Sequence, residues 1–269
     1  MRWAVLVTWV LVGCEATGSK APEAPIPASA ETPISDPPEI PESASLTWSV
    51  EIADRYHSEE DQADFTSHLE AARGYVEEHT GIAFTSLPKV DVLEDGAWTE
   101  LVRSEIPNAR DPGLAVALTI ALYQPEKKTL SFSPFFFHQF RSATDELKLL
   151  GRATLAHELT HHLDEEKFRL PSRLRETKLV QEKFVLRGLA EGHAVLVEEW
   201  VSEEKAGVEN FMEHNAKRLS RDPSYVLGRN YFKSVESTET KIDLRRHLLD
   251  DVPTYTEFMK GAMQPGGVR

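Results

Sequence analysis

The chain has a single cysteine among its 269 residues, which excludes an internal disulfide and a cysteine-rich zinc finger. It is also short of positive charge. Thirty Lys and Arg stand against 44 Asp and Glu, a formal net charge of −14. That balance argues against nucleic acid as a partner, because phosphates need a basic surface, and against adhesion to anionic lipid by charge alone. Long hydrophobic runs are missing too. The most apolar stretch, Trp3 to Val12, has about ten residues, whereas a membrane-spanning helix needs about 20. No internal repeat is visible, and only one proline-rich linker.

What remains is ordinary globular composition, 41% hydrophobic and 28% charged, with length enough for one large core. The N-terminus reads differently from the rest. Arg2 precedes the short apolar run, as in a secretory signal peptide. The run ends in Leu11-Val12-Gly13-Cys14, which resembles the bacterial lipobox. That resemblance implies removal of residues 1–13, lipidation of Cys14, and a lipoprotein held at a membrane of the bacterial cell envelope, facing the periplasm or the exterior. Seven prolines fall between Pro22 and Pro41, and no Lys or Arg occurs from Ala21 to Asp54. Residues 14–46 therefore read as a disordered, semi-stiff tether, and 47–269 as one domain.

Within that domain, Phe65, Leu69, Ala72 and Val76 recur at helical steps, so 58–79 is expected to be a helix that stops at Gly81. Lys89 to Leu93 alternates like a strand, and a short helix is expected over 95–104. Leu114 to Tyr123 is apolar and rich in Val, Ile and Leu, and reads as a buried strand. Pro125 to Lys128 reads as a turn, and Thr129 to Ser133 as the returning strand. From Ala143 onward the pattern is helical. A mixed first half followed by a helical second half predicts an α+β fold.

The chemistry sits on a helix expected over 144–166, as His157-Glu158-Leu159-Thr160-His161. Two histidines four residues apart lie about 40° from one another around a helix, so both imidazoles can reach one ion. Zinc favours such nitrogen ligands and lowers the pKa of a water that it binds. Glu158, beside the first histidine, is then placed as the general base. A catalytic zinc site needs a third protein ligand. The metzincin pattern fails, because Asp164 and Lys167 stand where Gly and His are required.

A second helix, expected over 176–203, carries Leu189-Ala190-Glu191-Gly192-His193-Ala194, which resembles the E-G-x-A segment of gluzincins. The stretch from Thr154 to Trp200 is similar to a bacterial family of gluzincin-type peptidases whose zinc helix reads H-E-L-T-H-A-L-Q-D-Q-x-F. Tyr225-Val226-Leu227-Gly228 and Val252 to Glu257 resemble two later motifs of that family. This chain departs from the family at His162, at Asp164-Glu165-Glu166 and at His193. The resemblance implies a zincin-like fold: a small mixed N-terminal sheet, an active-site helix beneath it, a helical C-terminal part, and a cleft between the halves. It implies Glu191 as the third zinc ligand, with His193 as the alternative. Gly192 would let the two helices approach, and Glu198, seven residues on, could support a ligand histidine. Tyr225 is the first choice for the donor that stabilises the tetrahedral oxyanion, ahead of Tyr231, His193 and His247.

The remaining polar residues carry no spacing signal; His162 reads as a rim or surface residue. Phe135-Phe136-Phe137 reads as core. An edge strand precedes the zinc helix in this class, which implies that Thr129 to Ser133 lines the cleft. The expected function is a lipid-anchored zinc metallopeptidase acting on peptides or proteins. A zinc-bearing but non-proteolytic scaffold or binding lipoprotein is the alternative.

Overall fold

A computed structural model describes residues 46–264, apart from 108, 209, 214, 216–221, 239–241 and the side chain at 146. The signal segment 1–13, Cys14, most of the tether and His214 thus lie outside the described residues. Four strands form one mixed sheet: β1 (Ser49–Ile52), β2 (Lys89–Val92), β3 (Ala121–Gln124) and β4 (Thr129–Phe132). Their order is β1-β2-β4-β3, with β1, β2 and β4 parallel and β3 antiparallel to β4. The hairpin between β3 and β4 turns through Lys128 at φ 49°.

Side-chain alternation gives each strand two faces. Val90, Val92, Leu130 and Phe132 turn inward onto α1 (Glu59–Thr80) and α5 (Asp145–Phe168). Leu122 turns to the other face and packs with Trp98 and Val102 of α2 (Asp95–Glu105) and, further out, with α3 (Pro112–Leu118). α1 starts at Ser58, whose hydroxyl accepts from the Asp61 amide, and stops at Gly81 in the left-handed region (φ 68°). Its buried stripe is Phe65, Leu69, Ala72 and Val76. α5 is capped by Thr144 and ends where Arg169 takes φ 50°. α4 (Pro134–Ser142) precedes it.

A second core is entirely helical. α6 (Leu170–Glu176), α7 (Val180–Trp200), α8 (Pro223–Glu236) and α9 (Tyr255–Ala262) gather Phe168, Leu186, Leu189, Phe232 and Phe258. Single π turns follow α7 at Val201–Lys205 and precede α9 at Arg246–Asp250. The protein is thus α+β and mostly helical.

Four expectations are corrected. Leu114 to Tyr123 is not one strand: Asp111 caps a helix with Pro112 in its first turn, and only the end of the run is β3. Thr129 to Ser133 is not an edge, because β4 pairs with β2 on one side and β3 on the other. Phe136 and Phe137 are core, but Phe135 is exposed. Gly192 does not face α5. A Cβ there would lie 2.5 Å from the Gly228 Cα, so this glycine lets α7 touch α8 backbone to backbone.

Gly228 is more constrained still, since a Cβ on it would lie 1.8 Å from the Gly188 carbonyl oxygen. Gly228→Ala is expected to cost about 3 kcal/mol through overpacking. Gly74, exposed in the middle of α1 with nothing near its missing Cβ, should instead gain about 0.5–1 kcal/mol as alanine. Urea denaturation of both variants measures the contrast.

Candidate metal centre

The two cores meet along α5 and α7, and the polar residues lie in that seam. His157, His161 and Asp164 fall at i, i+4 and i+7 on α5, one line along the helix. α7 answers with Glu191, His193 and Glu198. His157 and Glu158 are fully buried, His161 is 1% exposed and Glu191 3%.

Three ligand atoms converge. His157 Nε2 lies 3.3 Å from His161 Nε2, and Glu191 Oε2 lies 3.8 Å from each. A point equidistant from the three is about 2.1 Å from each, a bonding distance for a divalent metal with nitrogen and oxygen ligands. Glu191 Oε2 has no hydrogen-bond partner among the described residues, so a buried carboxylate oxygen is left for such an ion. His157, His161 and Glu191 form the one group of this kind among the described residues. The donors suit a borderline cation better than calcium or magnesium, which favour oxygen alone.

The surroundings orient the ligands. His157 Nδ1 donates to Glu198 Oε2 at 3.0 Å, which turns Nε2 toward the ligand point. Burial opposes charge on His157, but the carboxylates of Glu191 and Glu198 outweigh it and hold the pKa up, at about 9. Burial wins at His161, whose pKa falls to about 3 with His157 and His193 adding to the shift. Glu191 is held below the usual carboxylate range; its burial is outweighed by the two histidines and Arg187.

Tyr225 is brought to the centre. Its ring lies 6.1 Å from that of His157, at 29°. Two contacts set this position: Gly228 touches Gly192, and Asp222, which caps α8, pairs with Arg187 one turn before Glu191. Tyr231 and His247 are not at the centre. They bond to one another at 3.1 Å in the helical core.

His193 turns away from the triad, and its Nδ1 meets Asp164 Oδ1 at 2.8 Å. This pair was not foreseen, although the i, i+4, i+7 line from His157 to Asp164 was there to be read. His162 is not a rim residue. It is 1% exposed, takes a 2.9 Å hydrogen bond with the Tyr123 hydroxyl of β3 and reaches the Ser86 carbonyl at 3.1 Å. Two surface cavities, one beside α4 and one around Leu179, are lined by residues outside the triad.

None of the protein-family models, characterised proteins and solved structures compared with this chain matches it.

Metal uptake is the direct check. Zinc should bind at about one ion per chain, and His157→Ala should abolish it. Ligation needs neutral imidazoles, and His157 is protonated at pH 7 whereas His161 is not. Binding should therefore release a proton at pH 7, and apparent affinity should rise about tenfold per pH unit until about pH 9. Calorimetry in buffers of different ionisation enthalpy measures both.

Proposed function

We propose that this protein is a zinc metallopeptidase of gluzincin type, on a zincin-like arrangement of sheet and active-site helix, and that it is held in the bacterial cell envelope by a lipid on Cys14. The observation that carries the catalytic reading is the convergence of His157, His161 and Glu191 at metal-bonding distances, with Glu158 next to a ligand on the same helix. When bound there, zinc supplies a Lewis acid and lowers the pKa of a coordinated water toward neutrality.

The chain's own groups supply the rest. Glu158 accepts a proton from the attacking water as its oxygen bonds to the peptide carbonyl carbon. It then passes that proton to the leaving nitrogen as the C–N bond breaks. Glu198 fixes the tautomer and ring direction of His157. Tyr225, packed against His157, is the hydroxyl offered to the tetrahedral oxyanion. The peptide's partner strand is β3 rather than β4, because β3 is the outer strand on the side of α5 that carries Glu158 and His162.

One observation favours the second reading, a zinc-bearing protein without proteolysis: the triad and Glu158 are almost wholly buried. Three ligands and an adjacent carboxylate favour the first, since structural zinc sites close with four protein ligands. Glu158→Gln separates them. It should retain zinc and lower cleavage of a mixed peptide library at least a hundredfold, by the usual worth of a general base. Equal inertness of the wild type and this variant would leave the non-proteolytic reading. The anchor has its own check: Cys14→Ser should move the protein from the membrane fraction to the soluble fraction and remove incorporation of labelled palmitate.

A further inference from the structure

A cavity of about 430 Å³ lies between α4 and the first turns of α5. Ile120, Phe136 and Phe140 are its buried lining, while Phe135 (57% exposed) and Leu147 (37% exposed) also border it. Among the described residues no charged side chain lines it, in a chain of net charge −14. Its size is that of a small-ligand pocket. Gly151 belongs to its construction. A Cβ there would lie 2.6 Å from the Phe140 ring, so only glycine lets that ring lie against α5.

Its position is informative. At 100° per residue, Gly151 and Glu158 lie about 40° and 20° around α5 from Leu147, all on one face. Gly151 precedes Glu158 by about 10 Å along the axis. β3 follows the same line: Ile120, just before it, borders the cavity, and Tyr123 bonds His162 at the far side of Glu158. We infer that this cavity receives a large uncharged apolar side chain, aromatic or leucine-like, of the peptide that the metal centre cleaves. The inference rests on the hydrolase reading above. An extended peptide advances about 3.4 Å per residue, so the pocket serves a residue about three positions from the scissile bond. The cavity around Leu179 and Val180 has neither property, since it is lined by Arg173 and Glu182 and lies off this face.

The test uses the zinc-loaded full chain and a peptide library varied at three positions on each side of the cleaved bond. At one position about three residues away, kcat/KM for Phe or Leu should exceed that for Ala or Asp by about ten- to a hundredfold. Leu147→Glu, at an exposed site that tolerates charge, should collapse that ratio, and Gly151→Ala, which displaces Phe140, should lower it. Val180→Ser at the other cavity should leave it as it was. Cleavage whose selectivity is the same in both pocket variants would overturn the pocket and leave the hydrolase reading standing. If the wild type cleaves nothing, the hydrolase reading fails, and fluorescence polarisation of labelled Phe-containing peptides decides the pocket. Binding lost in Leu147→Glu supports it, and no binding overturns it.

Discussion

His157, Glu158, His161, Asp164, Glu191, His193 and Glu198 share the seam between α5 and α7, each of them buried. Four carboxylates and three imidazoles withdrawn from water would cost several kcal/mol apiece without compensation. Part of the compensation is internal: Glu198 accepts a hydrogen bond from Nδ1 of His157, and Asp164 meets His193. Burial still raises the pKa of Asp164, in spite of that partner. The carboxylates outnumber the imidazoles, and a dication between His157, His161 and Glu191 would offset the excess where it is greatest.

The rest of the molecule holds that seam in register. α5 is pressed from one side by the sheet through Leu155, Leu159 and Leu163. On its β3 side, His162 and Glu166 tie it to the segment before β2: His162 reaches the Ser86 carbonyl, and Glu166 accepts from the Thr85 amide. α7 is fixed from behind by α8, where Gly192 and Gly228 remove the side chains that would hold the helices apart, and by α9, whose Phe258 ring fills the space a side chain on Gly188 would need. The Tyr225 motif therefore has two parts with one purpose. Its glycine sets the helix distance, and its tyrosine, one turn earlier, arrives against His157.

Legibility in the sequence followed the range of the interaction. α1, α5 and the His157–His161 pair depend on neighbours within a turn or two, and their spacing alone located them. Glu191 lies 30 residues beyond His161 and was reached through its resemblance to the gluzincin segment, with His193 as the alternative. His162 was misjudged because rotation about one helix says nothing of a second layer, and β3 with its Tyr123 supplies that layer. The strand order was hidden for a related reason. A hairpin reads the same whichever strand is outermost, and only pairing of β4 with β2 decides it. The run from Leu114 was misread because apolar length outweighed the Asp111-Pro112 start signal.

The sheet register has a consequence for the order of assembly. Ser49, Lys89 and Thr129 stand abreast, so β1, β2 and β4 are drawn from successive forty-residue stretches of chain. The mixed half is complete in sequence by Phe132, and α4 and then α5 follow it. His157 and His161 are therefore in hand well before Glu191 has been added, and Glu198 later again. During synthesis from the N-terminus, the sheet can form on its own segment while the ion-holding set is still unfinished. Closing that set belongs to the docking of α7, so an ion held there would be captured late in the maturation of the chain.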